Sequence, residues 1–262
     1  MLEVPGTRYL DNPYFPLPHS GRGEFALNPS LASGSGGEGV VLALRGKRLL
    51  ITSGPTRTPL DAVRYITNKA TGRLGALIAE EVIRRGALVT FVYGRGSQTP
   101  VLRGPRLDHL QLVPIETVDD LIGVFKQELP KRYDALIHPM AVLDFQPDTV
   151  RPYKTGSHVE EWIVRLVPTP KAVKLVKDLA PDTFLVGFKL EIGKSTEELA
   201  QIAFDFLTRN RCDLVIANDL QEIEGGRHTG YFITPDGKVK ESAVGKEAIA
   251  RALAEYLEGH LD

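Results

Sequence analysis

From Lys47 onward, apolar runs of strand length alternate with amphipathic runs of helix length, and that alternation leaves the chain few folds to adopt. "RLLITS" reads as a strand. "RLGALIAEEVIRRG" then sets Leu74, Leu77, Ile78 and Val82 on one helical face, with Gly86 as its stop. "ALVTFVYG", "LQLVPI" and "YDALIHP" read as further strands, and Thr117 caps a helix through Leu121, Ile122 and Phe125. Beyond a proline-bearing segment and "EEWIVRLVP" come a helix "KAVKLVKDLA", a strand "TFLVGFKL", a helix from Ser195 to about Arg209 and a strand "DLVIAND". "GYFITPDGKVKE" is expected to form a small C-terminal hairpin turning at Pro235, Asp236 and Gly237, before a last helix "GKEAIARALAEYLEGHL". The expected class is α/β: a doubly wound, mostly parallel sheet with helices on both faces. Ligands should gather at the carboxyl ends of its strands.

Residues 1–45 differ from the rest. Prolines, glycines and "SLASGSGGEG" show no helical or strand period, so a flexible leader is expected, while Tyr9, Tyr14 and Phe15 keep open an arm strapped over the body or a neighbouring subunit. Residues 46–262 are expected to form a single domain. Thirty-two basic side chains face 33 acidic ones, a net charge of −1, which gives no electrostatic case for a nucleic-acid or membrane-surface partner. The single Cys212 excludes an internal disulfide framework and suits a reducing compartment. With neither a spanning apolar run nor a secretory leader, the chain reads as soluble and cytoplasmic.

Polar residues cluster at the expected strand ends. The first cluster holds Gly54, Thr56, Asp61, Arg64 and Asn68, followed by Thr71, Gly72 and Gly75 at a helix start, where backbone amides and the helix dipole suit a phosphate or carboxylate. Gly75 alternatively permits close helix packing. Arg64 and Asn68 are read as ligand contacts. The second pairs Asp144 with Lys154 across a loop stiffened by Pro147 and Pro152; the plain alternative for Lys154 is a solvated surface lysine. Phe188, Lys189 and Glu191 end one strand, with Phe188 as core and Lys189 as surface the simpler reading. Asn218 and Asp219 end another, where a turn and a helix cap would explain them. Cys212 reads as a small buried residue and Trp162 as sheet packing. The histidines show no metal-ligand spacing, and His138 alone falls near a proposed site.

The stretches "ITSGPTRTPLDAVRYITN", "AVLDF" with a lysine ten residues on, "GFKLE" and "DLVIANDL" occur in the order and spacing of phosphopantothenoylcysteine synthetases, and residues 47–258 resemble that family. The resemblance implies a Rossmann-like fold and a ligase joining 4′-phosphopantothenate to L-cysteine. ATP or CTP activates the carboxylate as an acyl-nucleotidyl intermediate with release of pyrophosphate, and Mg²⁺ serves as cofactor. Lys154 matches the lysine tied to forming the intermediate, and Asn68 the asparagine that holds its acyl group for amine attack. The same correspondence implies a nucleotide site of Gly54, Asp144, Pro168, Lys171, Phe188 and Lys189. Arg64, Thr71, Gly72 and Ala141 would contact substrate or intermediate, no residue is a metal ligand, and a homodimer is expected.

Some positions depart from the family pattern. A usual S-S-G is Ala70-Thr71-Gly72, His138, Pro139 and Met140 precede "AVLDF", and no basic run follows Lys154. Two lysines of bacterial CTP-using members correspond to Phe206 and Asn210. These departures motivate an alternative, a nucleotide-binding protein of the same fold that has lost the reaction. A nicotinamide-dependent oxidoreductase is poorly supported, since neither G-x-G-x-x-G nor a Tyr-x-x-x-Lys pair is evident.

Overall fold

The apolar run after Lys47 enters the sheet as β1 (Arg48–Ser53), in a computed structural model describing residues 42–102, 106–158 and 160–261. Most of the expected N-terminal leader, residues 1–41, lies outside the described residues. The body is already packed at Leu44, which is fully buried and donates its N–H to Arg85 O at 3.1 Å.

After β1 comes a two-stranded ribbon, β2 (Arg57–Pro59) with β3 (Tyr65–Thr67), where the sequence suggested only a polar run. Then follow α1 (Arg73–Arg84), β4 (Leu88–Gly94), β5 (Leu110–Ile115), α2 (Val118–Glu128) and β6 (Ala135–His138). A second ribbon, β7 (Phe145–Pro147) with β8 (Leu166–Pro168), leads into α3 (Lys174–Leu179), β9 (Phe184–Glu191), α4 (Thr196–Asn210) and β10 (Leu214–Asp219). The short α5 (Leu220–Glu224), strands β11 (Thr229–Ile233) and β12 (Val239–Val244), and α6 (Lys246–Glu258) complete the order. The expected hairpin is present, with Gly237 at φ 76° in its turn, and it extends the main sheet.

The eight-stranded sheet runs β12-β11-β10-β9-β6-β1-β4-β5; its six strands from β10 to β5 are parallel, and β11 and β12 are antiparallel. The chain winds outward from β1 through β4 to β5, then returns to lay β6 on the other side of β1. The strand order therefore reverses between β1 and β6, and a doubly wound sheet opens a crevice beyond such a point. Both faces are covered. Leu49 and Ile51 pack with Ile78, Val82, Ile249 and Leu253 of α1 and α6, whereas Leu50 joins Leu121, Phe125, Val176 and Leu199 of α2, α3 and α4. Burial on both sides explains why β1 reads as a continuous apolar run rather than an alternating one.

Local signals account for several boundaries. Thr117 forms a capping box with Asp120 at the start of α2, and Ser195 forms one with Glu198 at the start of α4. The helix expected over 171–180 starts regular geometry only at Lys174. Trp162 corrects the expectation of sheet packing: it lies outside any strand and has the Arg64 and Arg151 guanidiniums 5.4 and 5.0 Å from its ring centroid. Cys212 is buried as expected, and burial pushes its thiol up to about 12.

Two glycines let the crevice close tightly. A Cβ on Gly75 would lie 2.3 Å from Ser53 Oγ, so close packing of α1 on β1 requires its absence. A Cβ on Gly94 would lie 1.9 Å from the Pro55 carbonyl oxygen, a backbone atom that no rotamer can move aside. Gly94→Ala should therefore cost about 1–3 kcal/mol in urea unfolding. Gly123→Ala, within α2 and with nothing within 4 Å of its added Cβ, should instead gain up to about 1 kcal/mol. Equal effects at the two positions would refute the contact at Pro55.

Candidate functional site

Beyond the carboxyl ends of β1 and β6 the two following loops are zipped together. Ala141 N–H donates to Gly54 O at 2.9 Å, Thr56 N–H to Ala141 O at 3.2 Å, and Leu143 N–H to Thr56 Oγ1 at 2.9 Å. Asn68, reached through the β2–β3 ribbon, donates its side-chain amide to the same Ala141 oxygen at 3.0 Å. Ala141 thus joins Gly54 and Asn68, both scattered from it in sequence, at the switch point.

Beside Asn68 opens a cleft of about 480 Å³ whose wall includes Arg57, Tyr65, Lys69, Ala70 and Arg95. Its three cations were not singled out from the sequence, although each follows the end of a strand or ribbon. Arg57 is held by Glu116 at 2.6 Å and lies 4.7 Å over the Tyr65 ring. Lys69 is exposed. In a chain of net charge −1, this grouping makes a local basic pocket.

The start of α1 adds a helix N-terminus without a side-chain cap. Gly72, at φ 79°, precedes its first turn with no side-chain cap; Thr71 Oγ1 accepts only a long 3.4 Å contact from Arg73 N–H. No acidic residue occupies that turn. The positive end of a twelve-residue helix is therefore left without a counter-charge of its own.

A second group gathers along the β7–β8 ribbon. Lys171 Nζ reaches Asp144 Oδ1 at 2.5 Å, Thr169 N–H donates to Asp144 O at 2.9 Å, and Pro168 pairs with Phe145. Asp144, Pro168 and Lys171 are thereby brought together, with the Asp144 and Lys171 side chains mostly exposed. Phe188 and Lys189 are adjacent on β9 and so point to opposite faces of the sheet. Phe188 packs towards α1 and α6, while Lys189 pairs with Glu191 at 2.8 Å. Asn218 donates to Thr229 O at 2.6 Å and Asp219 caps α5, so both are engaged as the simpler reading required.

Lys154 stands apart from Asn68. Its neighbour Thr155 is bonded to Asp61 in the turn between β2 and β3, whereas Asn68 follows the ribbon's other end, roughly 10 Å away along three residues of strand. Lys154 is exposed, and no hydrogen bond or ion pair holds its ammonium among the described residues. Arg64 donates to Asp61 Oδ2 at 2.9 Å and to Thr155 O at 3.2 Å. Burial opposes ionisation of Asp61, but amide donation from Thr155, Val63 and Arg64 and the Arg64 charge outweigh it, holding the carboxyl at about 2.

Residues 44–260 match the family described as the DNA/pantothenate metabolism flavoprotein C-terminal domain. The chain belongs to this pantothenate-metabolism family. It is 35% identical over 217 residues to the coenzyme A biosynthesis bifunctional protein CoaBC of Thermococcus kodakarensis, an alignment covering 82% of this chain and 52% of that protein. The chain thus spans about half the length of the curated relatives it matches. The crystal structure of the DNA/pantothenate metabolism flavoprotein from Streptococcus pneumoniae superposes with a TM-score of 0.73 at 30% identity, covering 82% of this chain and 99% of that one. The C-terminal domain of a CoaBC protein gives 0.63 at 29% identity, over 84% and 97%. These matches establish the Rossmann-like α/β fold of this pantothenate-metabolism domain.

His138, the last residue of β6, is buried. Its Nδ1 lies 2.6 Å from Thr52 Oγ1, and Phe125 meets the ring edge-on at 5.8 Å. Burial lowers its pKa from 6.5 to about 4, so the ring is neutral at pH 7. Because the folded-state value is depressed, the unfolded chain protonates first. Stability is complete above pH 6.5 and declines as pH falls from 6.5 towards 4. Between pH 7 and 4.5 this site should cost on the order of 2–3 kcal/mol, and His138→Asn should remove that part of the pH dependence in urea titrations. An identical decline in the variant would show that another group is responsible.

Proposed function

We propose that the chain is a phosphopantothenate–cysteine ligase. The observation that supports this best is the fixed Asn68 amide at the switch point, opening onto a cleft lined by Arg57, Lys69 and Arg95. A phosphate ester that also carries a carboxylate needs fixed cations to be held, and an acyl group needs a directional donor to be presented to an amine.

In this reading the carboxylate oxygen of 4′-phosphopantothenate attacks the α-phosphorus of ATP or CTP. The bond to the β-phosphate breaks and pyrophosphate leaves. The amine of cysteine then attacks the acyl carbon, the bond to the nucleotide breaks, and the nucleoside monophosphate departs with its electron pair. Lys154 offsets the negative charge that accumulates as carboxylate meets triphosphate, and Asn68 orients the acyl group for the amine. Gly54, Asp144, Pro168, Lys171, Phe188 and Lys189 are assigned to the nucleotide, and Thr71, Gly72 and Ala141 to the substrate or intermediate. No cluster of three His, Cys, Asp or Glu side chains suited to a metal occurs among the described residues. Mg²⁺ is accordingly assigned to the nucleotide phosphates and water, where it would neutralise phosphate charge.

The direct test supplies purified protein with 4′-phosphopantothenate, cysteine, Mg²⁺ and either ATP or CTP, and follows pyrophosphate together with product mass. Release dependent on phosphopantothenate is expected. Nucleotide binding without release, in folded protein, would replace this reading with that of a degenerate nucleotide binder. Lys154→Gln should lower pyrophosphate release by about a hundredfold or more. Asn68→Asp should retain pyrophosphate release in a single turnover but accumulate the acyl-nucleotidyl species. An equal loss in both half-reactions would make Asn68 a binding residue only.

A further inference from the structure

The chain between Arg151 and Thr155 is pinned at both ends to the turn of the β2–β3 ribbon. Arg151 N–H donates to Leu60 O at 3.1 Å, and Thr155 N–H donates to Asp61 Oδ2 at 3.0 Å. The second bond engages the peptide that joins Lys154 to Thr155. The next peptide is held as well, because Arg64 Nη2 donates to Thr155 O at 3.2 Å.

Asp61 is built for this task. Its carboxylate is 3% exposed and accepts four bonds: from the Val63 and Arg64 amides at 2.8 Å each, from Arg64 Nη1 at 2.9 Å and from Thr155 N–H. Thr155 is equally buried, and its hydroxyl meets Arg151 Nη1 at 3.3 Å. Between these anchors Pro152, Tyr153 and Lys154 are all exposed. Trp162 completes the arrangement, since the two guanidiniums that grip the segment are both stacked near its ring.

We infer that Asp61 and Arg64 are positioning residues that fix the backbone beneath Lys154, with Trp162 as the plate that holds their clamp together. This rests on the ligase reading for what Lys154 does. It assigns Arg64 a task within its own chain rather than at a ligand. A lysine in an unpinned loop would sweep a wide volume, whereas misplacement of a charged group by about 1 Å already costs about a hundredfold in rate.

Trp162 is the only tryptophan in the sequence, so its emission reports the clamp directly. In Asp61→Asn, the emission should shift to the red and become more open to acrylamide quenching. Exchange protection of the Thr155 amide should fall. The rate of pyrophosphate release should drop about a hundredfold, with KM for 4′-phosphopantothenate and nucleotide within about threefold of wild type. Arg64→Met, a substitution at a side chain 40% exposed, provides the same readouts if Asp61→Asn fails to fold. Folded variants with unchanged emission and Thr155 exchange would overturn the clamp. A disturbed clamp with undiminished turnover would overturn its positioning role. A wild-type protein with an intact clamp and no pyrophosphate release would instead refute the ligase reading, and the role assigned to Lys154 with it.

Discussion

The hydrogen bonds between residues 54–56 and 141–143, two between backbones and one to the Thr56 hydroxyl, are the constraint on which the site depends. β1 and β6 are neighbours at the switch point, but the connections leaving them run to opposite sides of the sheet, and such loops would ordinarily diverge over the crevice. Here they behave as a short continuation of the sheet, with Pro55 bridged to Ala141. The zipper gives Asn68 a fixed acceptor in Ala141 O and leaves one side of the ribbon open to the basic cleft. The glycines at 75 and 94 are its necessary complements, because each admits a neighbouring backbone or helix that a side chain would hold away.

Most of the fold was legible because its signals are local and periodic. The two-sided burial of β1, the capping boxes at Thr117 and Ser195 and the turn at Gly237 each follow from a few consecutive residues. The β2–β3 ribbon was not legible. Three-residue strands containing Arg57, Thr58 and Pro59 carry neither length nor apolar alternation, and they are held by their attachment to Glu116, Ala141 and Thr155. Trp162 was misread for a related reason. An aromatic beside isoleucine and valine resembles a strand, but its partners are two arginines outside that run, Arg151 in the preceding loop and Arg64 far away in sequence.

The site shows the same division. Asn68 and Ala141 were found by motif, and their contact explains why both belong to one pattern. The cations Arg57, Lys69 and Arg95 escaped notice because the chain's charge is nearly balanced, and their concentration appears only when three strand ends are brought to one cleft. Asp61 was placed in the first polar cluster, but its role in holding the backbone was not legible. In sequence it is one acid among 33 Asp and Glu residues, and only burial with four donors marks it as structural machinery.

The absence of lysine at positions 206 and 210 now has a packing explanation. Gly187 leaves a space on β9 into which Phe206 projects, so close that a Cβ there would lie 2.8 Å from the Phe206 ring and 3.2 Å from Cys212 Sγ. Asn210, which is buried, spends its amide on Phe206 O at 2.8 Å, within the last turn of α4. A lysine at 206 would give up the contact that the partly buried Phe206 ring makes across Gly187 against Cys212. In the ligase reading, triphosphate charge would then be met elsewhere. The uncapped start of α1 and the exposed lysines at 154 and 171 are the groups that reading leaves for it. In the ligase reading the charge that meets the nucleotide then lies nearer the switch point, where the loop zipper and the Asp61 clamp hold the backbone in place.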